Sequence, residues 1–256
     1  MTPVDSILAL LQPESVERAF VARLPVAALA NAAVAALAYF SRTVSSSGAA
    51  GGVIVGTIVW AAVDWRGWLV LAAFFVLGSA ATKFGYAKKA ALGIAEKGEG
   101  RRGASNALAK GGVGVAAAAA YAATGWNPFL VAYVGAFATA VSDTIGSELG
   151  QLYGRTPVLI TTLRRVPVGT EGAVSLEGTA LGVVASAVVA GIGWAGGLHG
   201  AAGVAWVVIG AFAGTTLESY LGATVEGAKG IGKSTTNFLL TLSGAIVAGA
   251  LAAIVA

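Results

Sequence analysis

Pro128-Phe129-Leu130-Val131-Ala132-Tyr133-Val134-Gly135-Ala136-Phe137-Ala138-Thr139-Ala140-Val141-Ser142-Asp143 runs without a charge until its last residue. Extended to about 126–149, the segment exceeds the roughly 20 residues that a helix needs to cross a bilayer. Its composition is that of the whole chain. Of 256 residues, 57% are hydrophobic and 11% charged, against about 25% charged in a soluble domain. Mean hydropathy is +0.81. The 16 Lys and Arg and 12 Asp and Glu are too few and too clustered to coat a soluble surface. Strand alternation is absent, which argues against an outer-membrane barrel. The expected fold class is therefore an all-α polytopic membrane protein, a single transmembrane domain over residues 1–256. The lack of cysteine excludes thiolate catalysis and Cys-based zinc sites.

Working outward, the apolar runs predict spans at about 19–40, 48–63, 66–82, 105–124, 126–149, 177–197, 200–222 and 234–255. The second and third are short and joined by Asp64-Trp65-Arg66-Gly67. They read either as two tight spans or as one distorted re-entrant pair, so seven or eight spans are expected. The start lacks a basic segment and a cleavage site, so no cleaved signal peptide is expected. Pro13, Glu14 and Glu17 suggest a short amphipathic lead-in.

Basic residues collect in three loops: Lys83, Lys88, Lys89, Lys97, Arg101 and Arg102; then Arg155, Arg164 and Arg165; then Lys229 and Lys233. Eight spans put all three on one side. The connections near Asn127 and His199 carry no Lys or Arg. Loop Lys and Arg favour the cytoplasmic side, so the basic face is expected there and both termini opposite. The net charge of +4 is thus a matter of topology, and no nucleic-acid partner is expected. Oligomeric state is left open, a homo-oligomer included.

Gly135-Ala136-Phe137-Ala138 and Gly210-Ala211-Phe212-Ala213 lie 75 positions apart, and Asp143 and Glu218 follow at the same spacing. The match suggests an internal helix-pair repeat, although an Ala/Gly-rich chain also produces such matches by chance. Acids within spans are costly and are functional candidates by default. Here they are Asp143, Glu148, Glu177 and Glu218; the bland alternative is that they reach interfacial water. Asp143 and Glu148 stand roughly 140° apart on an ideal helix. Carboxylates facing a basic cavity suit Mg²⁺, a hard cation that prefers oxygen. Lys110 inside an Ala/Gly-rich helix either pairs with an acid or anion, or snorkels to the interface. His199 is the single histidine, is expected on the other side, and is not expected to be catalytic.

The loop over 150–180 concentrates polar chemistry. Gly169, Gly172 and Gly178 permit close backbone approach. Thr161, Thr162, Thr170 and Ser175 offer hydroxyls, and Arg164 and Arg165 offer bidentate phosphate binding. A helix starts near Ser175, where unpaired N–H groups favour anions. The bland alternative is a solvated loop whose arginines set topology. Gly227-Ala228-Lys229-Gly230-Ile231-Gly232-Lys233-Ser234 has the Gly-x4-Gly-Lys-Ser spacing of a Walker A loop but follows no strand, so that resemblance carries little weight.

Asp143-Thr144-x-x-Ser147-Glu148-Leu149-Gly150, Pro157-Val158-Leu159-Ile160-Thr161-Thr162 and Val168-Gly169-Thr170-Glu171-Gly172-Ala173-Val174-Ser175 occur in that order. This trio resembles an integral-membrane family that includes phytyl-phosphate kinase; phytol and dolichol kinases are more distantly similar. The resemblance covers a motif-bearing core over 101–256, and 1–100 is weakly similar. It implies a kinase converting a prenyl monophosphate to the diphosphate, with CTP as donor. Asp143 and Glu148 match the family's acidic motif, Thr170 and Ser175 its Gly-Thr-x-Gly-x-x-Ser loop, and Asn237 a late asparagine. Two departures, Asn106 with Lys110 in place of Gln and Asn, and Glu218 in place of Asp, leave substrate and donor choice open.

The resemblance and the residue types together make Asp143, Glu148, Lys110, Arg164 and Arg165 the catalytic candidates. Asp143, Glu148 and Glu218 are the candidate ligands of Mg²⁺. Asn106, Thr161, Thr162, Gly169, Thr170, Gly172, Ser175 and Asn237 are the candidate nucleotide and phosphate contacts. A phosphate monoester is already an anionic nucleophile, so no His or Ser base is required, and positioning with charge neutralisation suffices. Two other classes fit: a membrane nucleotidyltransferase making a CDP-lipid, and a transporter of an anionic or lipid substrate.

Overall fold

The computed structural model describes residues 13–96, 98–225 and 231–255. Lys97 and Lys229, and with the latter all of 226–230, lie outside the described residues, as do the side chains of Glu14 and Glu17. The architecture is all-helical: α1 (Pro13–Phe40), α2 (Ser46–Lys83), a short α3 (Tyr86–Ala91), α4 (Ala104–Thr124), α5 (Pro128–Tyr153), α6 (Leu176–Ala195), α7 (Ala201–Thr224) and α8 (Lys233–Val255). Two-residue strands β1 (Val158–Leu159) and β2 (Ala173–Val174) pair antiparallel between α5 and α6. Six of the helices are long and apolar enough to cross a membrane. The lead-in at Pro13 is continuous with α1.

The uncertain pair of spans is settled within α2. Asp64 takes φ 63° and ψ −172°, which no helix accommodates, and its Oδ1 accepts from the Arg66 N–H at 2.7 Å, starting a new helix. The chain doubles back there. Trp60 and Trp68, eight positions apart, bring their rings to 5.4 Å. Gly48 and Gly78, near the two ends of α2, both lie against Arg102. A straight helix would separate them by about 45 Å. Two arms, 46–63 and 65–83, therefore replace one rod, and each is about 27 Å long. With α4 packed among the others, eight rods alternate in direction. The basic loops meet at one end of the bundle. Arg66 lies at the opposite end with Arg23, whose Nη1 donates to Ala61 O at 3.3 Å, so that end is not devoid of positive charge.

At the centre stands α5. Tyr133, Val134, Phe137 and Val141 are fully buried. The Phe137 ring meets Phe74 of α2 at 5.5 Å, and the Tyr133 hydroxyl donates to Gly67 O at 2.7 Å. Lipid chains are as apolar as leucine, so helices associate through close packing of small residues. A methyl on Gly178 would stand 2.6 Å from Gly146 O, so α5 and α6 touch backbone to backbone. The 75-residue repeat has a structural counterpart: Gly135 and Gly210 both pack on Gly244 and Ala248 of α8. The phenylalanines differ, Phe137 being buried and Phe212 exposed.

Candidate functional site

Lys110 sits in the second turn of α4, facing α5. Its Nζ donates to Asp143 Oδ2 at 2.7 Å and to Thr144 Oγ1 at 2.8 Å. Thr144 passes its own proton to Ala140 O at 2.9 Å, which leaves its oxygen to accept from Lys110. Both members of the ion pair are largely buried, with side-chain exposures of 8% and 13%. Lys110 therefore pairs with an acid within the bundle instead of snorkelling.

Glu148 is held by a different lysine. Lys89 lies on α3, which starts after Gly85 in the left-handed conformation at φ 62°. Its side chain is fully buried, and Nζ donates to Glu148 Oε2, to Ala81 O at 3.2 Å and to Thr82 O at 3.0 Å. The last two carbonyls belong to the end of α2, where a cation also meets the negative end of the helix dipole. The separation of Asp143 from Glu148 around α5 thus matches two lysines on two different elements.

Arg102 joins the two pairs. Its guanidinium lies 5.6 Å over the Phe74 ring, and its Nη1 is buried without a hydrogen-bond partner among the described residues. Burial lowers its pKa below the ordinary arginine value, while Glu148, Glu96 and Asp143 act in the opposite direction. Sequence reasoning missed Lys89 and Arg102, because both lie in a basic loop whose charges signal orientation. Nothing in Lys88-Lys89 says which lysine turns inward.

The loop between α5 and α6 is a small folded unit. Ile160 N–H donates to Gly172 O at 3.2 Å, and Val166 N–H to Pro157 O at 3.1 Å. Thr161, Thr162, Arg164 and Arg165 are exposed at its turn, around Leu163 at φ 55°. The Thr170 hydroxyl donates to Pro167 O at 2.8 Å. Gly169 (φ 87°) and Gly172 (φ 73°) need glycine for their backbone, and Gly172 presses on Ser219 and Ala223 of α7. Gly172 and Gly178 are therefore used for packing. Ser175 starts α6 as expected, its Oγ accepting from Gly178 N–H at 3.2 Å, so that oxygen serves the helix.

Asn106 is half-buried in the first turn of α4 and Asn237 is buried in α8. Glu218 is half-buried on α7. Among the described residues no three His, Asp or Glu side chains gather as a metal-holding group, so Asp143, Glu148 and Glu218 do not form one set of ligands. Glu177 lies 3.9 Å from the exposed Arg155, and Glu96 lies 3.8 Å from Lys233. His199 is at the opposite end, between α6 and α7, with Nδ1 3.0 Å from Gly200 O.

The profile of the family described as "Integral membrane protein DUF92" matches residues 29–241. An uncharacterized membrane protein of Synechocystis is 44% identical over 176 residues, 68% of each chain. "Protein VTE6, chloroplastic" of Arabidopsis thaliana is 39% identical over 212 residues, which are 80% of this chain and 64% of that protein. An uncharacterized membrane protein of Methanocaldococcus jannaschii is 32% identical over 208 residues, 81% of this chain and 85% of its own. The chain thus spans less than two thirds of the plant relative. No solved structure matches it.

Proposed function

We propose, for a chain that belongs to the DUF92 family of integral membrane proteins, that its basic face transfers a phosphoryl group from CTP to a prenyl monophosphate such as phytyl phosphate. The product is the prenyl diphosphate. The observation that supports this reading is the buried charge cluster of Lys89, Arg102 and Lys110 around Asp143 and Glu148, at the end of membrane-spanning helices. A lipid tail lies in the bilayer while its phosphate reaches that depth.

An oxygen of the acceptor phosphate attacks the γ-phosphorus of CTP. The bond to the β–γ bridging oxygen breaks, and CDP leaves with that electron pair. No base is needed, because the acceptor is already anionic. Lys110 is 2.7 Å from Asp143 and stands where it can shift its charge from carboxylate to phosphate. Arg164 and Arg165, exposed on their turn, supply solvent-side charge for the nucleotide. Asp143 and Glu148 offer hard oxygen donors that fit Mg²⁺ only if nucleotide oxygens and water complete its octahedron, since no third acid joins them among the described residues. Bound there, the ion would neutralise charge on the donor phosphates. The excess of loop Lys and Arg supports a cytoplasmic basic face, in a plasma membrane or, in a photosynthetic cell, a thylakoid.

Purified protein in lipid nanodiscs, given CTP, Mg²⁺ and phytyl phosphate, should yield CDP and phytyl diphosphate. Pyrophosphate release with a CDP-lipid would make the protein a nucleotidyltransferase. Unconsumed CTP would remove the enzyme reading and leave transport.

A further inference from the structure

Arg102 is half-buried, and its inner nitrogen Nη1 is buried without the carboxylate that Lys89 and Lys110 each have, among the described residues. Its position is built from both sides. Its N–H donates to Thr43 O, and its carbonyl accepts from Ser45 N–H, each at 3.1 Å, so the link between α1 and α2 clamps its backbone. The side chain then runs to the second arm of α2. There it lies over Phe74, and a methyl on Gly78 would stand 2.8 Å from Nη2. A glycine at 78 leaves room for the guanidinium, yet Nη1 finds no acceptor among the described residues.

Among the described side chains the charges do not balance. Lys89, Arg102 and Lys110 face Asp143 and Glu148, one cation in excess. Glu96 also acts on Arg102, but it lies 3.8 Å from Lys233, which brings a further positive charge. An uncompensated guanidinium at this depth is costly unless an anion joins it. Its planar fork matches phosphate oxygens bidentately.

We propose that the Arg102 guanidinium anchors a phosphoryl oxyanion beside the Lys89–Glu148 and Lys110–Asp143 pairs. The class of anion rests on the phosphoryl-transfer reading, and two sources carry it: the lipid monophosphate and the nucleotide. Arg102 binds the anion, and the neighbouring pairs orient around it.

The test uses the full chain in nanodiscs, without divalent cation so that no turnover intervenes. Affinities are measured for CTP, phytyl phosphate and phytol in wild type, Arg102→Met, Arg102→Lys and Gly78→Ala, alongside melting without probe. Arg102→Met should melt no lower than wild type, because it removes an unpaired buried charge. It should lose at least tenfold in affinity for one phosphate probe and nothing for phytol, with Arg102→Lys intermediate. Loss confined to phytyl phosphate assigns the acceptor; loss confined to CTP assigns the donor. Gly78→Ala keeps the charge but displaces Nη2, and should weaken the same probe; it decides the matter if Arg102→Met does not fold. Unchanged affinity for both phosphate probes in Arg102→Met and Gly78→Ala overturns the proposal, and continued phosphoryl transfer by wild type would then leave the broader reading standing. A wild type that binds neither phosphate probe and transfers nothing overturns both.

Discussion

Replacing Lys89 by methionine tests whether the buried pair with Glu148 holds the basic face together. Methionine fills a similar volume and removes the ammonium. The Glu148 carboxylate, 11% exposed, would then remain in the interior without its cation. Breaking such a pair from one side costs about 3–5 kcal/mol. The carbonyls of Ala81 and Thr82 also lose a cation at the end of α2, worth about 0.3–1 kcal/mol. A loss of about 4 kcal/mol is therefore expected. Adding Glu148→Gln to Lys89→Met removes the stranded charge, so the double variant should lose about 2–3 kcal/mol less than the two single variants added together, the upper range of coupling between contacting residues. The assay is equilibrium unfolding in mixed micelles, followed by the fluorescence of the six tryptophans. If the double variant loses as much as the two single variants added together, the pair has no coupling and the reasoning fails. Phosphoryl transfer should not return with stability, because the double variant still lacks the Glu148 carboxylate.

Asp143→Asn keeps an acceptor for Lys110 but strands its buried ammonium, so stability should fall; phosphoryl transfer by the folded fraction should drop by roughly 100-fold or more, as when a preorganised charge is removed from an active site, and full turnover by this variant would remove Asp143 from the site. Gly178→Ala places a methyl 2.6 Å from Gly146 O and should cost about 1–3 kcal/mol, whereas Gly52→Ala, with nothing within 4 Å, should cost nothing measurable on unfolding. Burial lowers the pKa of His199 below its usual 6.5, so the unfolded chain takes up the proton first as pH falls. The melting temperature should therefore hold above pH 6.5 and decline below it, and His199→Gln should flatten that decline.

The spans were legible because a bilayer demands long uncharged runs, and Gly111 to Ser142 carries no charge at all. The turn within α2 was left open because Asp64-Trp65-Arg66-Gly67 suits a hairpin and a distorted pair equally; the positive φ of Asp64 decides it. Asp143, Glu148 and Lys110 stood out for the cost of charge in lipid, and the structure places all three in the cluster. Ser175 was read as a helix start and is one, but its hydroxyl caps the helix. Lys89 and Arg102 were hidden by context. Whether a loop cation turns inward depends on tertiary packing: the short helix Tyr86–Ala91 carries Lys89 under the bundle, and the bonds to Thr43 and Ser45 hold Arg102 there.

Those two residues also show that the first hundred residues pack as one unit with the rest. The motifs start near residue 101, which invites a division between an N-terminal part and a core. The packing gives no such division. Phe74 and Gly78 shape the bed of Arg102, Ala81 and Thr82 hold Lys89, and Lys89 neutralises Glu148. Phe74 also covers Phe137, at the centre of α5. The family match accordingly begins at residue 29, taking in the second part of α1 and both arms of α2. The first hundred residues are thus weak in motif and strong in structure: they supply the floor against which the charges of the second part are buried.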